Sequence, residues 1–329
     1  MMQKRNFIRE IIFFGIVIVV LLLVLNLNNI IPTEKTNQTS QQGSVPETSH
    51  EQLLGTISHS LTLEKELPDN GEYVTIYKTI PDRYSRHDII TLGKKFNISS
   101  QYQIKEGAEG FSITENDKSA YVVLTVNGWI EYTNRNRARS VNPLDVPEKL
   151  PSDEEAVQIA TKFLKDRDLL PDGAELIGID HGKILGAAEN GTNTIFWEDV
   201  QVWYGRKLNG IPVEGTQLML AIGGNGDPIE FFTNWRKYES YKEMPLKTPE
   251  QAFEDLKVKG ISIGMNNPDR VSINDMYLAY HTKPGAETEE YLEPIWMFKG
   301  EVIVNNKSVM QVNTYIPALT DEAVKSLSS

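Results

Sequence analysis

Residues 202–232 read VWYGRKLNGIPVEGTQLMLAIGGNGDPIEFF, and this stretch decides the fold that the sequence predicts. An aromatic-rich segment, 200–205, and an alternating apolar segment, 217–222, have the two-residue period of β-strands. A glycine run at 223–226 separates the second segment from another strand-like segment at 228–232. A phosphate-binding loop would need a helix directly after the glycines, so the run predicts a hairpin turn between antiparallel strands.

Two predicted helices with the same N-terminal signal lie on either side of this region. Ser152 and Glu155 form one capping box, and Thr248 and Gln251 form a second, each before an apolar stripe of helical spacing. Strand-like segments follow both helices in the same order, at an offset of about 100 residues, which indicates an internal duplication. The sequence therefore predicts an α+β fold in which helices lie on antiparallel sheets.

The rest of the chain is divided by composition. Residues 53–147 combine strand-like segments with one helical pattern, which predicts a further α+β domain before the duplication. Three prolines between 140 and 151 exclude a regular element there and predict a domain boundary. The predicted organisation is a cytoplasmic N-terminus at 1–10, a transmembrane signal anchor at 11–31, a flexible stalk at 32–52, an N-terminal α+β domain at 53–147, and tandem repeats at 148–243 and 244–329.

The N-terminal segment 11–31 is almost entirely apolar and long enough for a transmembrane helix. Lys4, Arg5 and Arg9 precede it, and the positive-inside rule then keeps the N-terminus in the cytoplasm. A cleaved signal peptide is the alternative, but the segment has no small-residue cleavage site after it. The pattern predicts a single-pass protein of the cell membrane whose C-terminal ectodomain lies outside the cytoplasm.

Charge and cysteine content exclude several classes of function. The formal net charge is -12, and nucleic-acid binding needs a basic surface, so no nucleic-acid partner is expected. The chain has no cysteine, which excludes disulfides, thiolate nucleophiles, iron–sulfur clusters and a cysteine-linked lipid anchor. The folded part must therefore be stabilised by core packing.

The segments VWYGRKLNGIPVEGTQLML at 202–220 and LEPIWMFKG at 292–300, together with the capped helices, resemble the PepSY superfamily, which includes the propeptides of thermolysin-like peptidases. The predicted anchor-plus-ectodomain layout is similar to that of YycH- and YycI-type regulators, which restrain a sensor kinase. The resemblance implies a module that binds or inhibits proteins and has no catalytic residues. The chain departs from the family's Asp/Asn-x-x-Thr-Gly turn at 224–227 and again at 316–319.

No pattern of catalytic or metal-binding residues is found. The chain has five histidines, and none belongs to a His-Glu-x-x-His or His-x-His pair. His181 and His281 would approach each other only if the two repeats packed symmetrically. No nucleophile elbow and no phosphate-binding lysine loop is present. We expect no catalytic residue, no metal and no cofactor.

Two groups of residues are candidates for contacting a partner. A basic cluster stands out in an acidic chain, and several aromatic residues exceed what a small sheet needs for its core. The candidates are Arg135, Arg137, Arg139, Trp203, Tyr204, Trp235 and Trp296. For each group the competing interpretation is a solvated loop or a packed core.

The sequence therefore predicts a membrane-anchored, extracytoplasmic, non-catalytic regulatory module that binds a protein in the cell envelope, such as a sensor kinase or a peptidase. An exposed apolar or edge-strand surface would carry the contact. The alternative is an extracytoplasmic protein that binds a small molecule or a peptide, which a deep pocket with convergent polar groups would favour. The sequence carries no signal for an oligomeric state.

Overall fold

The computed structural model describes residues 55–57, 60–135, 149–187, 193–263, 268–285 and 287–327. Within these residues the chain forms eighteen β-strands and four α-helices. The predicted α+β fold is therefore wrong, because the chain is mostly β-sheet, with two large sheets and few helices.

The strands, numbered in chain order, are β1 Gly55–Ile57, β2 Leu61–Leu63, β3 Tyr73–Ile80, β4 Tyr102–Gly107, β5 Gly110–Glu115, β6 Ala120–Thr125, β7 Trp129–Asn134, β8 Glu175–Ala187, β9 Asn193–Gly205, β10 Lys207–Leu208, β11 Ile211–Glu214, β12 Gln217–Ile222, β13 Pro228–Asn234, β14 Lys237–Pro245, β15 Ile261–Ile263, β16 Arg270–His281, β17 Tyr291–Val304 and β18 Lys307–Pro317. The helices are α1 Arg86–Lys95, α2 Asp153–Asp166, α3 Pro249–Lys259 and α4 Asp321–Leu327.

The physical reason for the error is strand length. The apolar segments identified in the sequence are only the centres of strands that continue into polar residues. Segment 294–300, for example, lies inside β17, which has 14 residues, and β8 and β9 have 13 residues each. Polar residues at alternate positions remain compatible with a strand that has one solvated face, so the strands run well beyond their apolar cores.

The described chain divides into two compact units by its contacts. The first unit comprises the described residues within 70–247, 278–295 and 317–329, and the second comprises those within 1–69, 248–277 and 296–316. The first unit contains an eight-stranded sheet with the order β4-β5-β6-β7-β13-β12-β9-β8, in which all neighbours are antiparallel. Here β7 pairs with β13, so strands from the predicted domain 53–147 and from the predicted repeat 148–243 share one sheet.

Both α1 and α2 pack on one face of this eight-stranded sheet. Ile89 of α1 and Leu164 of α2 are fully buried in a common core with Val122, Val202 and Leu220 of the strands. Burying each such side chain stabilises the fold by about 1.5–3 kcal/mol. The helix α2 begins at the predicted capping box, since the Ser152 side chain accepts from the Glu155 amide and Glu155 accepts from the Ser152 amide.

The opposite face of the same sheet carries a smaller core. Trp203, Met219 and Phe232 are buried there, and Trp129 packs against them. Gly285 closes over Trp129, and a Cβ atom at this glycine would lie 2.6 Å from the indole ring. A larger residue at 285 would force that ring to move.

The remaining strands of the first unit surround β3. On one side β3 pairs antiparallel with β14, and on the other side it pairs with the start of β17 through Tyr291 and Leu292. The strand β14 forms the edge of its sheet. A register shift between Ser240 and Lys242 makes Tyr241 the extra residue of a β-bulge.

The second unit is built around parts of β16, β17 and β18 together with α3. β1 pairs antiparallel with β15, and β2 pairs parallel with β16 at 271–273. Phe253 of α3 lies 6.3 Å from Phe298 between ring centroids. The predicted capping box of α3 is present, with Pro249 in the first helical turn. Gly300 is required by close packing, because a Cβ atom there would lie 2.4 Å from the Ser272 carbonyl oxygen.

The predicted transmembrane anchor at 11–31 falls outside the described residues, as do the N-terminus 1–10 and the stalk 32–52. Among the described residues, no helix is long and apolar enough to cross a membrane. The predicted transmembrane signal anchor is corrected to this extent: the described part of the chain contains no such helix.

Candidate functional site

Most of the aromatic candidates are packing residues. Trp203, Tyr204 and Trp296 are buried, and the Tyr204 hydroxyl lies 2.9 Å from Thr161 Oγ1 of α2. Trp235 is half-buried beneath the guanidinium of Arg206, whose Cζ is 5.1 Å from a Trp235 ring centroid. Their contacts lie within the protein, and binding of a partner by these four residues stays a prediction.

The basic cluster is only partly described. Arg135 is exposed, and its guanidinium lies 4.9 Å from the ring centroid of Tyr121. Arg137 and Arg139 lie outside the described residues. A docking role for these arginines likewise stays a prediction.

The histidines are dispersed over the fold. His181 Nε2 of β8 lies 3.0 Å from Asp153 Oδ1 at the start of α2. His281 ends β16 and is aligned with Glu214 of β11. His50 and His59 lie outside the described residues, and within the described ones no group of three or more His, Asp or Glu side chains could hold a metal.

A buried ion pair holds the loop between β16 and β17. The side chains of Arg236 and Glu289 are 2% and 1% exposed, and Arg236 Nη1 lies 3.8 Å from Glu289 Oε1. Arg236 Nη2 also donates to the backbone carbonyls of Pro284 and Glu287, both at 2.8 Å, and of Lys283 at 3.3 Å. The guanidinium therefore holds three backbone carbonyls of the loop in place.

Glu289 is just as fully engaged. Its carboxylate accepts from the Lys283 amide at 2.6 Å and from the Tyr238 hydroxyl at 2.7 Å, and Thr79 Oγ1 lies 3.3 Å away. Burial, followed by the adjacent Glu289 charge, raises the pKa of Tyr238. Arg206 lies over the Tyr238 ring at 4.6 Å, and burial lowers the pKa of Arg206. Through Glu289, these contacts tie the loop between β16 and β17 to the strands β3 and β14.

Asp199 is a second buried charge, at the bulge where β8 and β9 pair. It is 4% exposed and accepts from the Gly182 amide at 3.2 Å. Burial raises its pKa from 3.8 to about 6, opposed by hydrogen bonds from Gln201 and Gly182. Ionisation of Asp199 is therefore less favourable in the folded protein than in the unfolded chain.

We expect Asp199→Asn to increase the free energy of unfolding at pH 7 by about 1–2 kcal/mol. The folded protein holds the Asp199 proton up to a pH of about 6, whereas the unfolded chain releases it near 3.8. Folding thus takes up a proton between these values, and the Asp199 contribution to stability falls as the pH rises through this range. Urea unfolding from pH 4 to pH 8 measures this.

The matched control for Asp199 is Asp172→Asn, since Asp172 is exposed. It should change stability by less than about 0.5 kcal/mol at every pH. A lower stability of Asp199→Asn at pH 7, with a pH profile like that of the unchanged protein, would show that the ionised carboxylate is needed there.

Side chains on one face of β3, β14 and β17 form a surface that we call the tyrosine patch, in which Ile80 and Tyr241 are exposed and Lys78, Lys242 and Tyr291 are half-buried. Tyr241 is 51% exposed, and its ring centroid lies 5.4 Å from that of Tyr291. Lys242 Nζ is 5.6 Å from the centroid of Tyr241, and Lys78 Nζ is 6.0 Å from that of Tyr291. Cation–π attraction and ring contact hold these side chains in place before any partner arrives.

A cavity of about 340 Å³, which we call the aromatic pocket, lies where the C-terminal ends of α1 and α2 meet the turns of the eight-stranded sheet. A smaller concave site, of about 110 Å³, lies beside Arg206. The residues that line the aromatic pocket are Phe96, Asn97, Glu115, Ala120, Tyr132, Asn134, Phe163, Arg167, Asp227 and Pro228.

Sequence reasoning missed both the patch and the pocket. The patch joins residues from positions 78 to 291, and the pocket joins residues from 96 to 228, so neither forms a local motif. The one available signal for the patch was Tyr241, which interrupts the alternation of β14 at its bulge.

Comparisons with known proteins identify no family. No family model matches the chain, and no curated protein matches it. A solved structure of an uncharacterized protein from Eubacterium rectale ATCC 33656 is similar over 80% of this chain and 89% of that chain, with 11% sequence identity and a TM-score of 0.44. The PepSY resemblance therefore stays a prediction.

Proposed function

We propose that this chain is a non-catalytic interaction module that binds a protein partner through the tyrosine patch. The observation that supports this proposal is the pair of tyrosine rings, Tyr241 of the edge strand β14 and Tyr291 of β17, held against each other across the face of the sheet. Tyrosine is enriched in protein interfaces because its ring contributes a large contact area and its hydroxyl a hydrogen bond. A preformed pair also loses little side-chain entropy on binding.

The contact uses the face of the sheet and not the unpaired edge of β14. The bulge at Tyr241 and the charged side chains Lys237, Glu239 and Glu243 make that edge a poor template for an added strand. On the face, Lys78 and Lys242 stand beside the two rings. We therefore propose a partner surface with an apolar side chain between carboxylates.

The partner class to try first follows from the sequence, which predicts a sensor kinase ectodomain or a peptidase. The proposal does not require a membrane anchor in this chain. An extracytoplasmic location stays a prediction of the sequence.

We expect the double variant Tyr241→Ala/Tyr291→Ala to weaken partner binding about tenfold or more, which is the effect of removing central aromatic contacts. The measurement is capture of the partner from extracts by the unchanged chain, followed by titration of the purified partner against each variant. The matched control is Tyr73→Ala, because Tyr73 is 61% exposed but lies on the other face of β3. Equal binding by all three proteins, or no partner for the unchanged chain, would refute the proposal.

A further inference from the structure

Arg206, directly after β9, carries two buried hydrogen-bond donors without an acceptor. No atom of the described chain accepts from its Nε or its Nη2. Its guanidinium carbon lies 5.1 Å from a ring centroid of Trp235 and 4.6 Å from that of Tyr238, so two aromatic rings hold the group in place. Nε and Nη2 direct their hydrogens from the same edge of the planar guanidinium. That edge matches the two oxygens of a carboxylate.

The carboxylates near Arg206 are engaged with other groups. Burial lowers the pKa of Arg206, and Tyr238 and Glu289 oppose that effect. Glu289, however, already accepts from the Tyr238 hydroxyl at 2.7 Å. Glu175 pairs with Lys207 at 2.8 Å. Among the described residues, this edge of the Arg206 cation therefore has no anion bonded to it, which is unfavourable for a largely buried charge.

The concave site of about 110 Å³ beside Arg206, which we call the arginine cavity, has a second polar group of this kind. Thr216 also lines the cavity and is 2% exposed, and its hydroxyl has no hydrogen-bond partner in the described chain. The strands explain why the two residues meet. Tyr204 of β9 pairs with Leu218 of β12, and this antiparallel register, continued by two residues, places Arg206 opposite Thr216. Because buried polar groups are rarely left unbonded, two of them on one cavity indicate a site for a polar ligand.

The walls and the size of the arginine cavity restrict the ligand. Ile177, Pro212 and Val213 supply apolar surface, and Ile177 is 53% exposed, so the cavity reaches the protein surface. A volume of about 110 Å³ is well below that of sites for drug-sized ligands and accommodates only a few non-hydrogen atoms. Glu214 lines the cavity as well and has a partner of its own. Its charge disfavours a ligand with more than one negative charge.

We infer that the arginine cavity binds a short-chain monocarboxylate of about two to four carbons. Nε and Nη2 of Arg206 donate to the two carboxylate oxygens, and the Thr216 hydroxyl donates a third hydrogen bond. The alkyl part of the ligand contacts Ile177 and Val213. The arginine cavity shares no residue with the tyrosine patch, so the inference does not depend on the proposed protein contact.

The test is titration of the purified chain with acetate, propionate and butyrate at constant ionic strength, followed through the NMR signal of the Arg206 Nε–H group. Loss of that signal in Arg206→Lys assigns it. At least one of the three acids should bind with a dissociation constant of about 1 mM or tighter and shift this signal. Chloride cannot span two parallel donors and should bind about tenfold more weakly. Hexanoate and N-acetylalanine, which imitates the C-terminus of a peptide, exceed the cavity and should also bind about tenfold more weakly.

Three variants and a control locate the binding, which isothermal titration measures for each. Arg206→Met should weaken it about tenfold or more. Arg206→Lys keeps the charge without the two-donor edge, so it should also weaken binding, and it serves if Arg206→Met fails to fold. Thr216→Val removes the hydroxyl at nearly constant volume and should weaken binding about threefold or more. Arg86→Met should leave binding unchanged, because Arg86 is exposed at the start of α1.

Four results would overturn the inference. Absence of binding by all three acids at 10 mM, about tenfold above the weakest constant expected, would mean that the arginine cavity holds only water. Unchanged binding in both Arg206 variants would place the ligand elsewhere. Chloride that binds as tightly as acetate would show that the site does not select a carboxylate. N-acetylalanine that binds more tightly than the short acids would assign the site to a chain terminus.

Discussion

Arg236→Met should lower the free energy of unfolding by about 3–5 kcal/mol, the usual effect of breaking a buried ion pair. The substitution leaves Glu289, whose side chain is 1% exposed, without its buried cationic partner. It also removes the donor to the carbonyls of Pro284 and Glu287. The first effect leaves a buried carboxylate without its counter-ion, which is more unfavourable than the pair itself is favourable. Urea unfolding measures the change.

A control variant and a double variant help to interpret the result for Arg236→Met. Lys207→Met, at the start of β10, removes a lysine that pairs with Glu175, and the two side chains are 49% and 53% exposed, so it should change stability by less than about 1 kcal/mol. The double variant Arg236→Met/Glu289→Met should recover part of the loss, since the Glu289 charge is then no longer buried without Arg236. A loss below about 1 kcal/mol for Arg236→Met would show that the loop 282–289 is not held as described.

Trp296→Ala should lower the free energy of unfolding by about 3–5 kcal/mol, because a fully buried large side chain is replaced by a cavity. Trp296 is among the residues that the sequence puts forward for partner binding, so this variant separates the two roles. A residue that only binds a partner would leave stability unchanged within about 0.5 kcal/mol.

The control for Trp296 is Tyr73→Ala, which truncates a large but exposed aromatic residue. It should change stability by less than about 1 kcal/mol. Chemical unfolding of both variants, read by circular dichroism, gives the comparison. Equal losses for the two would mean that Trp296 is not part of a core.

Local signals made the helices α2 and α3 predictable. Ser152 and Thr248 cap α2 and α3 through hydrogen bonds within three residues, so a short stretch of sequence carries the whole signal. The hairpin turn at 223–226 is equally local, and β12 and β13 pair across it as predicted. In each case the residues that cause the structure are only a few positions apart in the sequence.

Fold class and sites were less predictable because their causes are not local. Strands such as β17 continue past their apolar centres into segments that mix polar and apolar residues. The sequence does not mark where strand pairing stops. The abundance of aromatic residues did not tell which face each one occupies, so Trp203 and Trp296 were grouped with candidates for binding although both are buried. Tyr241 and Tyr291 meet only through the pairing of β14 and β17 with β3.

Hydrogen–deuterium exchange of the chain with and without its captured partner tests the proposed contact most directly. Binding through the tyrosine patch should slow exchange in β14, at 237–245, and around Tyr291, while the aromatic pocket and the strands β4 to β6 exchange as before. Slower exchange elsewhere, with none in β14 or at Tyr291, would contradict the proposal and move the partner to another surface.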